Sequence, residues 1–489
     1  RYIMNKISCF LPYAGKEQVE KTVNSLQATG LIEEIRLITT DATLESLPDC
    51  EILFVDMPYS SATLKAIANA AKGEYTLLYT KETTLEMGMF ALERMIHILE
   101  DSSAGMVYAD HYQIADGKQS NAPVIDYQFG SLRDDFNFGS LLLFNTEKLK
   151  EAAGHMKSDY NFAGLYDLRL KLSQHSNLVH INEYLYSEVE NDTRKSGEKI
   201  FDYVDPKNRD RQIEMEQACT EHLKEIGGYL APEFKKIEFS AGNFEYEASV
   251  IIPVRNRIRT IRDAIKSVLM QKTDFKYNLI IIDNHSTDGT TEAIDEFKDD
   301  ERLIHIVPER NDLGIGGCWN VGVHHPKCGK FAVQLDSDDV YKDENTLAIM
   351  VRAFYEQNCA MVVGTYMMTD FNMNMIAPGI IDHKEWTPAN GRNNALRING
   401  LGAPRAFYTP VLREVKVPNT SYGEDYALGL NFSRQYQIGR VYDVVYLCRR
   451  WDDNSDASLD IVKMNGHNLY KDRIRTWELQ ARIAMNKNK

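Results

Sequence analysis

The sequence lacks a long apolar run: it contains no stretch of about 18 or more apolar residues, the length that a membrane-spanning helix needs. It also has no charged-then-apolar leader, so export through a signal peptide is not expected. Cysteine is scarce, with seven residues and no Cys-x-x-Cys pair. We therefore expect a cytoplasmic protein with no structural zinc and no integral membrane segment, and peripheral association with the inner face of a membrane stays open.

Positive charge is also in deficit. The chain carries 56 Lys and Arg against 71 Asp and Glu, a formal net charge of −15 at pH 7. Binding to a phosphate backbone depends on clustered Lys and Arg, so the composition argues against a nucleic-acid partner. An anionic small ligand would need a local positive centre on such a chain, such as a metal ion.

Length and an internal repeat predict two domains. A chain of 489 residues exceeds what one hydrophobic core usually supports. Four segments of the first half recur in the same order in the second half: 8–12 matches 249–253, 73–78 matches 329–334, 166–168 matches 424–426, and 182–186 matches 442–446. This order predicts two diverged copies of one domain, spanning residues 4–240 and 241–489.

Short apolar runs alternate with helical periodicity in the second copy. Runs of strand length occur at 250–252, 279–282, 303–307, 331–335 and 361–366. Strands that alternate with helices predict an α/β fold, here two tandem domains that each hold a mainly parallel sheet flanked by helices. Because ligands bind such sheets at the carboxyl ends of the strands, we expect the chemistry just after each run.

Two carboxylates follow the fourth of these runs. Asp336 and Asp338 are two residues apart, a spacing at which an extended strand end points both side chains the same way. Their oxygens suit Mn²⁺ or Mg²⁺ bridging to phosphates. A solvated acidic turn explains the bare spacing equally well, but the position after a buried strand favours a metal site. The same letters fit a phosphohydrolase, although such enzymes usually carry them on the first strand.

Two turns supply further candidates for binding. Asp283 ends the second run, where a ribose or base could be held, and the alternative role is helix capping. The segment 311–320 is rich in glycine and precedes a helix predicted over 319–325. Asn311 and Gly314 are candidates for phosphate contacts, because glycine permits close backbone approach and a helix N-terminus favours anions.

Adjacent acids open a later helical segment. Glu424 and Asp425 stand at its start, where acids are often only partners of the helix dipole. A transfer reaction onto a hydroxyl needs a base to take the proton, and one carboxylate near the reacting centre meets that need. We prefer Asp425 as this base, with Glu424 beside it.

In this order the motifs resemble the family 2 glycosyltransferases of the GT-A fold. The similarity rests on the opening strand 250–256, the turn 283–289, the metal motif 336–338 and the acid pair 424–425. It implies a nucleotide diphosphate sugar donor such as a UDP-sugar, a saccharide acceptor, inversion at the anomeric carbon, and a Mn²⁺ or Mg²⁺ ion on Asp338 with Asp336 assisting. The donor contacts implied are Pro253, Arg255, Asn256, Asp283, Asn311, Gly314, Asp336 and Ser337. The tandem layout resembles bacterial polysaccharide synthases.

The sequence departs from this family pattern at three places. Trp319 stands where many relatives have an arginine that contacts the diphosphate. Several tandem synthases have a histidine near the end of the domain, and here that region contains Arg450 and Trp451, which would hold the diphosphate and the acceptor instead. His467 is a candidate third metal ligand, with a lone surface histidine as the alternative.

The first copy has lost these motifs. Residues 80–82 (Thr-Lys-Glu) align with 336–338, so Lys81 stands between the would-be metal ligands and repels a divalent cation. Asp167 survives opposite Asp425 but has no donor site to serve. We therefore expect the first copy to be a scaffold or an acceptor-binding module, with a metal-independent second transferase as the alternative.

Two other classes compete for the second copy. A nucleotidyltransferase is expected to place a glycine-rich basic loop after its first strand, whereas residues 253–257 contain no glycine. A catalytically inactive saccharide-binding protein is not expected to retain both acid pairs. A glycosyltransferase is the interpretation that the motifs favour.

Overall fold

The structure is a computed structural model, and it describes residues 6–189, 208–452, 454 and 459–488. The chain forms two compact units. The first comprises the described residues up to 189 together with 209–228 and 459–476, and the second comprises 208, 229–452, 454 and 477–488. Residues 229–240 thus belong to the second unit, ahead of the boundary near residue 240 that the sequence suggested.

The first unit contains a nine-stranded sheet with helices packed against it. Its strands are β1 (Ile7–Pro12), β2 (Ile32–Thr39), β3 (Glu51–Phe54), β4 (Tyr75–Tyr79), β5 (Leu85–Met87), β6 (Met106–Ala115), β7 (Lys118–Ala122), β8 (Leu141–Asn145) and β9 (Leu178–Val189). Its helices are α1 (Lys16–Gln27), α2 (Ser61–Ala70), α3 (Ala91–Asp101), α4 (Thr146–Gly154), α5 (Gly164–His175) and α6 (Arg209–Ile226). Apolar residues on both faces of this sheet form two buried clusters, as expected for a sheet covered on both sides.

The second unit contains a sheet of the same size. Its strands are β10 (Ala248–Val254), β11 (Tyr277–Asp283), β12 (Leu303–Ile306), β13 (Phe331–Gln334), β14 (Val340–Tyr341), β15 (Met361–Thr369), β16 (Met375–Ile381), β17 (Arg405–Tyr408) and β18 (Ile438–Arg449). Its helices are α7 (Ile261–Leu269), α8 (Thr290–Asp295), α9 (Ile315–Val323), α10 (Thr346–Gln357), α11 (Gly391–Asn394), α12 (Thr409–Val415) and α13 (Glu424–Gln435). All seven residues of β11 are buried, which explains its unbroken apolar run.

The two sheets have the same strand order. The first runs β3-β2-β1-β4-β8-β6-β9-β5 with β7 beside β6, and the second runs β12-β11-β10-β13-β17-β15-β18-β14 with β16 beside β15. Each strand of one sheet therefore has a counterpart in the other. The predicted repeat and the α/β fold class are confirmed.

The strand directions in the second sheet differ in part from a mainly parallel arrangement. Strands β12, β11, β10 and β13 are mutually parallel, but β17 runs antiparallel to both β13 and β15. The last strand β18 is parallel to β15 and antiparallel to β14. The sheet is thus mixed. Its parallel half brings the carboxyl ends of β10, β11 and β13 to one edge, where the candidate residues follow.

One helix begins earlier than predicted, and the last helix is shared between the two units. Helix α9 begins at Ile315, four residues before the predicted start, because the glycine-rich segment itself forms the first turn. The last helix, α14 (Ile461–Lys487), has its residues up to 476 in the first unit and those from 477 in the second. Across the described part of the chain, every helix is too short or too polar to span a membrane.

Candidate active site

The loops after β10 and β11 are joined by side-chain hydrogen bonds. The backbone N–H of Asn256 donates to Ser286 Oγ (3.0 Å), and Asn256 Oδ1 accepts from the N–H of Thr287 (2.7 Å). Asn256 and His285 have φ angles of 54° and 58°, a left-handed conformation that costs a non-glycine residue energy and is enriched at functional sites. Arg255 and Asn256 are exposed on this edge, and Pro253 lies within β10.

Asp283 is fully buried at the end of β11. Its carboxylate accepts hydrogen bonds from the Ser286 N–H (3.1 Å) and the Thr291 hydroxyl (2.5 Å), and it lies 3.4 Å from His305 Nε2. Although burial alone would raise it, these partners, His305 foremost, hold the pKa of Asp283 well below its usual range. Both carboxylate oxygens therefore hold the turn in place, and a nucleotide contact from Asp283 stays a prediction.

The glycines at the start of α9 allow close packing against the loop 417–421. A Cβ on Gly316 would lie 1.7 Å from the backbone oxygen of Pro418, and one on Gly314 would lie 2.7 Å from the backbone carbon of Thr420. The Gly314 N–H donates to Asn419 Oδ1 (2.8 Å). Protein atoms thus already occupy the space beside these glycines, which explains them without a phosphate. Asn311 is exposed, and its predicted donor contact is not tested.

Asp336 follows β13 directly, and its Oδ1 accepts a hydrogen bond from Gln334 Nε2 (2.8 Å). The residue is exposed, although the surrounding protein displaces part of the solvent around its carboxylate. This partial desolvation raises the pKa of Asp336, opposed by the cation of Arg405 and reinforced by the charge of Asp338. A carboxylate in this state gains from a nearby cation.

Asp338 faces several weak donors through one oxygen. Its Oδ2 accepts from Trp451 Nε1 (3.3 Å) and Asn454 Nδ2 (3.2 Å), and it lies 4.0 Å from Arg257 Nε. The indole of Trp451 also lies 5.0 Å from the guanidinium of Arg259. The structure therefore brings Asp338 and Trp451 together, as expected for residues of one site. The long contacts leave Oδ1 of Asp338 available to another ligand.

The two acids at the start of α13 have different surroundings. Asp425 Oδ2 forms an ion pair with Arg405 Nη1 (2.9 Å), and its side chain is 28% exposed. Burial, together with the neighbouring charge of Asp425, raises the pKa of Glu424 to about 8, and Glu424 Oε2 is buried without a hydrogen-bond partner. At neutral pH Glu424 thus holds a proton, whereas Asp425 is paired with a cation and reaches solvent.

Asp336 and Asp338 are the side chains that could hold a metal ion. Within the residues that the structure describes, no group of three or more His, Cys, Asp or Glu side chains is arranged around one point. Two carboxylates suit Mg²⁺ or Mn²⁺, because these ions usually keep water and take phosphate oxygens to complete their shell. The donor set therefore fits an ion that binds together with a diphosphate.

His467 lies on the part of α14 that belongs to the first unit. Burial and the nearby lysines Lys471 and Lys463 lower its pKa, which favours a neutral imidazole. The second unit by itself does not contain this side chain, so the third metal ligand stays a prediction. Trp319 is buried against Phe407, with ring centroids 5.9 Å apart, and it takes no part in the surface of the site.

Three buried residues of the site escaped the sequence interpretation. Asp339 is buried and accepts from the Tyr446 hydroxyl (2.8 Å) and the Arg449 N–H (2.8 Å). Tyr446 in turn accepts from the N–H of Asp336 (3.1 Å). These contacts fix the turn 336–339 against β18. The one sequence signal for these three residues was the alignment of Tyr446 with Tyr186 in the internal repeat. The backbone N–H of Arg450 continues this strand edge by donating to Thr369 O (2.8 Å).

In the first unit a lysine occupies the corresponding region. Lys81 Nζ lies 2.8 Å from Glu188 Oε1, and His111 Nε2 lies 3.1 Å from the same oxygen. Despite complete burial, these partners, His111 first, lower the pKa of Glu188 to about 2. The partly exposed ammonium group is therefore already paired with a buried carboxylate, and residues 80–82 supply one carboxylate where the second unit has Asp336 and Asp338.

The fold and these carboxylates define an α/β domain of the nucleotide-sugar transferase type. Residues 249–406 match the model of the family described as Glycosyl transferase family 2. The family model thus matches most of the second unit, the part of the chain in which the sequence resemblance was found.

Curated relatives carry glycosyltransferase names. An uncharacterized glycosyltransferase of Rickettsia felis is 37% identical over 198 residues, which is 40% of this chain and 31% of that protein. The putative teichuronic acid biosynthesis glycosyltransferase TuaG of Bacillus subtilis is 29% identical over 126 residues, 26% of this chain and 49% of TuaG. This chain therefore spans less than half the length of either relative.

Solved structures with a similar fold are also glycosyltransferases. Staphylococcus aureus TarS 1–349 in complex with UDP-GlcNAc is 20% identical, with a TM-score of 0.37 over 48% of this chain and 72% of that one. The mannosyltransferase PcManGT from Pyrobaculum calidifontis, in complex with GDP-Man and Mn²⁺, is 16% identical, with a TM-score of 0.32 over 55% of this chain and 82% of that one.

Proposed function

We propose that the second unit transfers a sugar from a nucleotide diphosphate sugar, a UDP-sugar, to a saccharide acceptor with inversion at the anomeric carbon, in bacterial polysaccharide synthesis. The observation that carries this proposal is the grouping of Asp336, Asp338 and Asp425 at one edge of a family 2 domain, where their charges act on one another. The relative TuaG, named for teichuronic acid biosynthesis, supports a polysaccharide product.

In the proposed reaction Asp425 accepts the proton of the acceptor hydroxyl. The oxygen then forms the new bond to the anomeric carbon as the bond to the departing nucleoside diphosphate breaks on the opposite face. Mn²⁺ or Mg²⁺, held by Asp338 with assistance from Asp336, would supply charge stabilisation for that diphosphate. The exposed Arg255 and Asn256, with Arg450 and Trp451 across the site, are the proposed contacts for donor and acceptor.

The first unit is proposed to be a non-catalytic scaffold or acceptor-binding module. Its support is the Lys81–Glu188 ion pair, which puts a cation where the second unit has carboxylates. A cytoplasmic location belongs to the same proposal. All seven cysteines are free thiols, six of them buried, which is the usual state in a reducing compartment.

Calorimetry with UDP tests the metal part of the proposal. UDP should bind in the presence of Mn²⁺ and lose at least about tenfold in affinity with a chelator, because Asp336 and Asp338 otherwise repel the diphosphate. Asp338→Asn should cause a similar loss with Mn²⁺ present. The matched control is Asp299→Asn, at an exposed carboxylate distant in sequence from the site, which should bind like wild type. Equal UDP affinity with and without Mn²⁺ would rule out the metal site.

A further inference from the structure

Two polar residues connect the proposed base to the proposed metal carboxylate. Arg405 Nη1 lies 2.9 Å from Asp425 Oδ2, and the backbone N–H of Arg405 donates to Gln334 Oε1 (3.0 Å). The other end of the same amide, Gln334 Nε2, donates to Asp336 Oδ1 (2.8 Å). A continuous series of contacts therefore runs from Asp425 through Arg405 and Gln334 to Asp336.

Arg405 is the central cation of this group. Its side chain is only 14% exposed, and its guanidinium also donates to the backbone oxygen of Leu401, which fixes its direction. Although burial alone would lower it, the neighbouring carboxylates, Asp425 first and then Asp336, raise the pKa of Arg405. One enclosed guanidinium thus faces two carboxylates that would otherwise repel one another.

The first unit shows that the fold itself does not need these two residues. In its sheet Leu78 pairs with Leu142 between the antiparallel strands β4 and β8. The second sheet has β13 and β17 in the same places, and its register puts Gln334 opposite Arg405, one pair beyond Val333 and Ala406. Both leucines are buried in the core of their unit.

The polar pair therefore occurs in the copy that kept the acid pairs, and a purely apolar pair occurs in the copy that lost them. A fold requirement would apply equally to both sheets. The difference points to a role in the site.

We propose that Arg405 and Gln334 are positioning residues of the transfer reaction, which hold the Asp425 carboxylate at a fixed distance and orientation relative to Asp336. This inference rests on the proposed function. A base that must meet an acceptor hydroxyl beside a metal-bound diphosphate has to be set in place before the substrates arrive, because misplacement by about 1 Å already costs a large factor in rate. Neither residue touches the reacting atoms.

The test compares three variants with wild type. Arg405→Leu removes the cation alone. The double variant Gln334→Leu with Arg405→Leu copies the leucine pair of the first unit, which suits the same strand arrangement there. Arg405→Lys keeps the charge. Turnover is measured as UDP release from whichever member of a UDP-sugar panel wild type consumes, and binding is measured as UDP affinity with Mn²⁺.

Both leucine variants should lose about tenfold to hundredfold in kcat, while UDP affinity with Mn²⁺ stays within about threefold of wild type. Arg405→Lys should recover most of the lost kcat, which a merely structural role would not require. A kcat unchanged in Arg405→Leu, or a fall in UDP affinity as large as the fall in kcat, would overturn the positioning role.

A structural control separates this effect from general destabilisation. Arg440 is a buried arginine on β18 whose guanidinium donates to the backbone oxygen of Asp382. Arg440→Leu should lower the melting temperature and leave kcat near wild type. If kcat falls equally in Arg440→Leu, the loss in the Arg405 variants reflects stability and the inference fails. If wild type releases no UDP from any donor of the panel, the proposed function itself fails.

Discussion

The adjacent carboxyl groups of Glu424 and Asp425 differ in their properties because their surroundings differ. Glu424 is enclosed and has no partner for Oε2, so it keeps its proton at neutral pH and cannot take another. Asp425 is partly exposed and pairs with Arg405, so its surroundings differ from those of Glu424. The sequence motif is a pair of acids, and the structure gives its two members different environments.

Replacing the proposed base should separate turnover from binding. Asp425→Asn keeps the shape but cannot accept a proton, so kcat should fall by about 10²-fold or more while UDP affinity with Mn²⁺ persists. Asp167→Asn, at the aligned position of the first unit, is the matched control and should leave turnover nearly unchanged. Rate measurements on both variants decide the matter. If Asp425→Asn kept wild-type turnover while Asp167→Asn lost it, the first unit and not the second would be the active one.

The raised pKa of Glu424 predicts a pH dependence of stability. A carboxyl whose folded-state pKa is about 8, against an ordinary 4.5, binds its proton more tightly in the folded protein. Its contribution to the free energy of unfolding is fully present below about pH 4.5 and is lost as pH rises through about 8. Glu424→Gln does not titrate, so its melting temperature should gain on wild type between about pH 5 and about pH 9.

An exposed acid provides the control for that experiment. Glu414→Gln replaces a glutamate on the surface of α12, and its melting curve should follow wild type across the same pH range. If Glu424→Gln also follows wild type at every pH, the carboxyl of Glu424 titrates normally and the assignment of the proton is wrong.

At the scale of single elements, α9 packs tightly against the loop 417–421. The glycines of α9 let the helix approach that loop more closely than any side chain would allow. The sequence suggested that a phosphate approaches these glycines. A glycine in the sequence indicates only that some group packs closely against the backbone, and it does not identify that group. Here the group belongs to a loop about 100 residues further along the chain.

Adding one methyl group should disrupt this contact. A Cβ at position 316 meets a backbone oxygen, which cannot rotate away, so Gly316→Ala should lower the free energy of unfolding by about 1–3 kcal/mol or more. Gly466→Ala, in α14 with no heavy atom within 4 Å of the new Cβ, should raise it by up to about 1 kcal/mol. Denaturant unfolding measures both. A neutral Gly316→Ala would mean that the loop yields easily.

Local and non-local elements differ in how far the sequence predicts them. The runs at 250–252 and 279–282 are strands because apolar runs of this length bury a strand on both faces, a local property. The direction of β17 and the place of Arg405 depend on partners far away in sequence, which periodicity does not report. Motif residues such as Asp338 could be predicted from the sequence because their motif is local: a short spacing directly after a strand already determines where the side chains point.

On the scale of the whole molecule, the units are not consecutive pieces of chain. In the first unit, α14 contributes Asn468, which accepts from Arg133 Nη1 (2.7 Å), and Asp472, which accepts from Ser131 Oγ (2.9 Å). In the second, α14 contributes Glu478, which pairs with Arg434 (2.6 Å). A division at one residue therefore removes part of a unit wherever it is made.

Truncated chains should reveal the boundary between the units. Residues 229–240 belong to the second unit, where Leu230 exchanges two hydrogen bonds with Asn393 and both Leu230 and Ile237 are buried. A chain of residues 241–489 should therefore melt at lower temperature than one of residues 229–489, since burial of each such side chain contributes about 1.5–3 kcal/mol. Both chains lack residues 1–228 and keep the same C-terminal part, which makes them a matched pair. Identical melting would place the boundary at residue 240 after all.

The divided α14 has a consequence for synthesis on the ribosome. Domains generally complete their folding in order as the chain emerges, the N-terminal one first. Here the first unit needs residues up to 476, which are translated after almost all of the second unit. Between residues 228 and 459 the ribosome makes more than 200 residues that do not belong to the first unit. During that time the sheet of the first unit lacks the part of α14 that packs in this unit. A nascent chain stalled anywhere in that gap would hold two unfinished units rather than one finished and one missing.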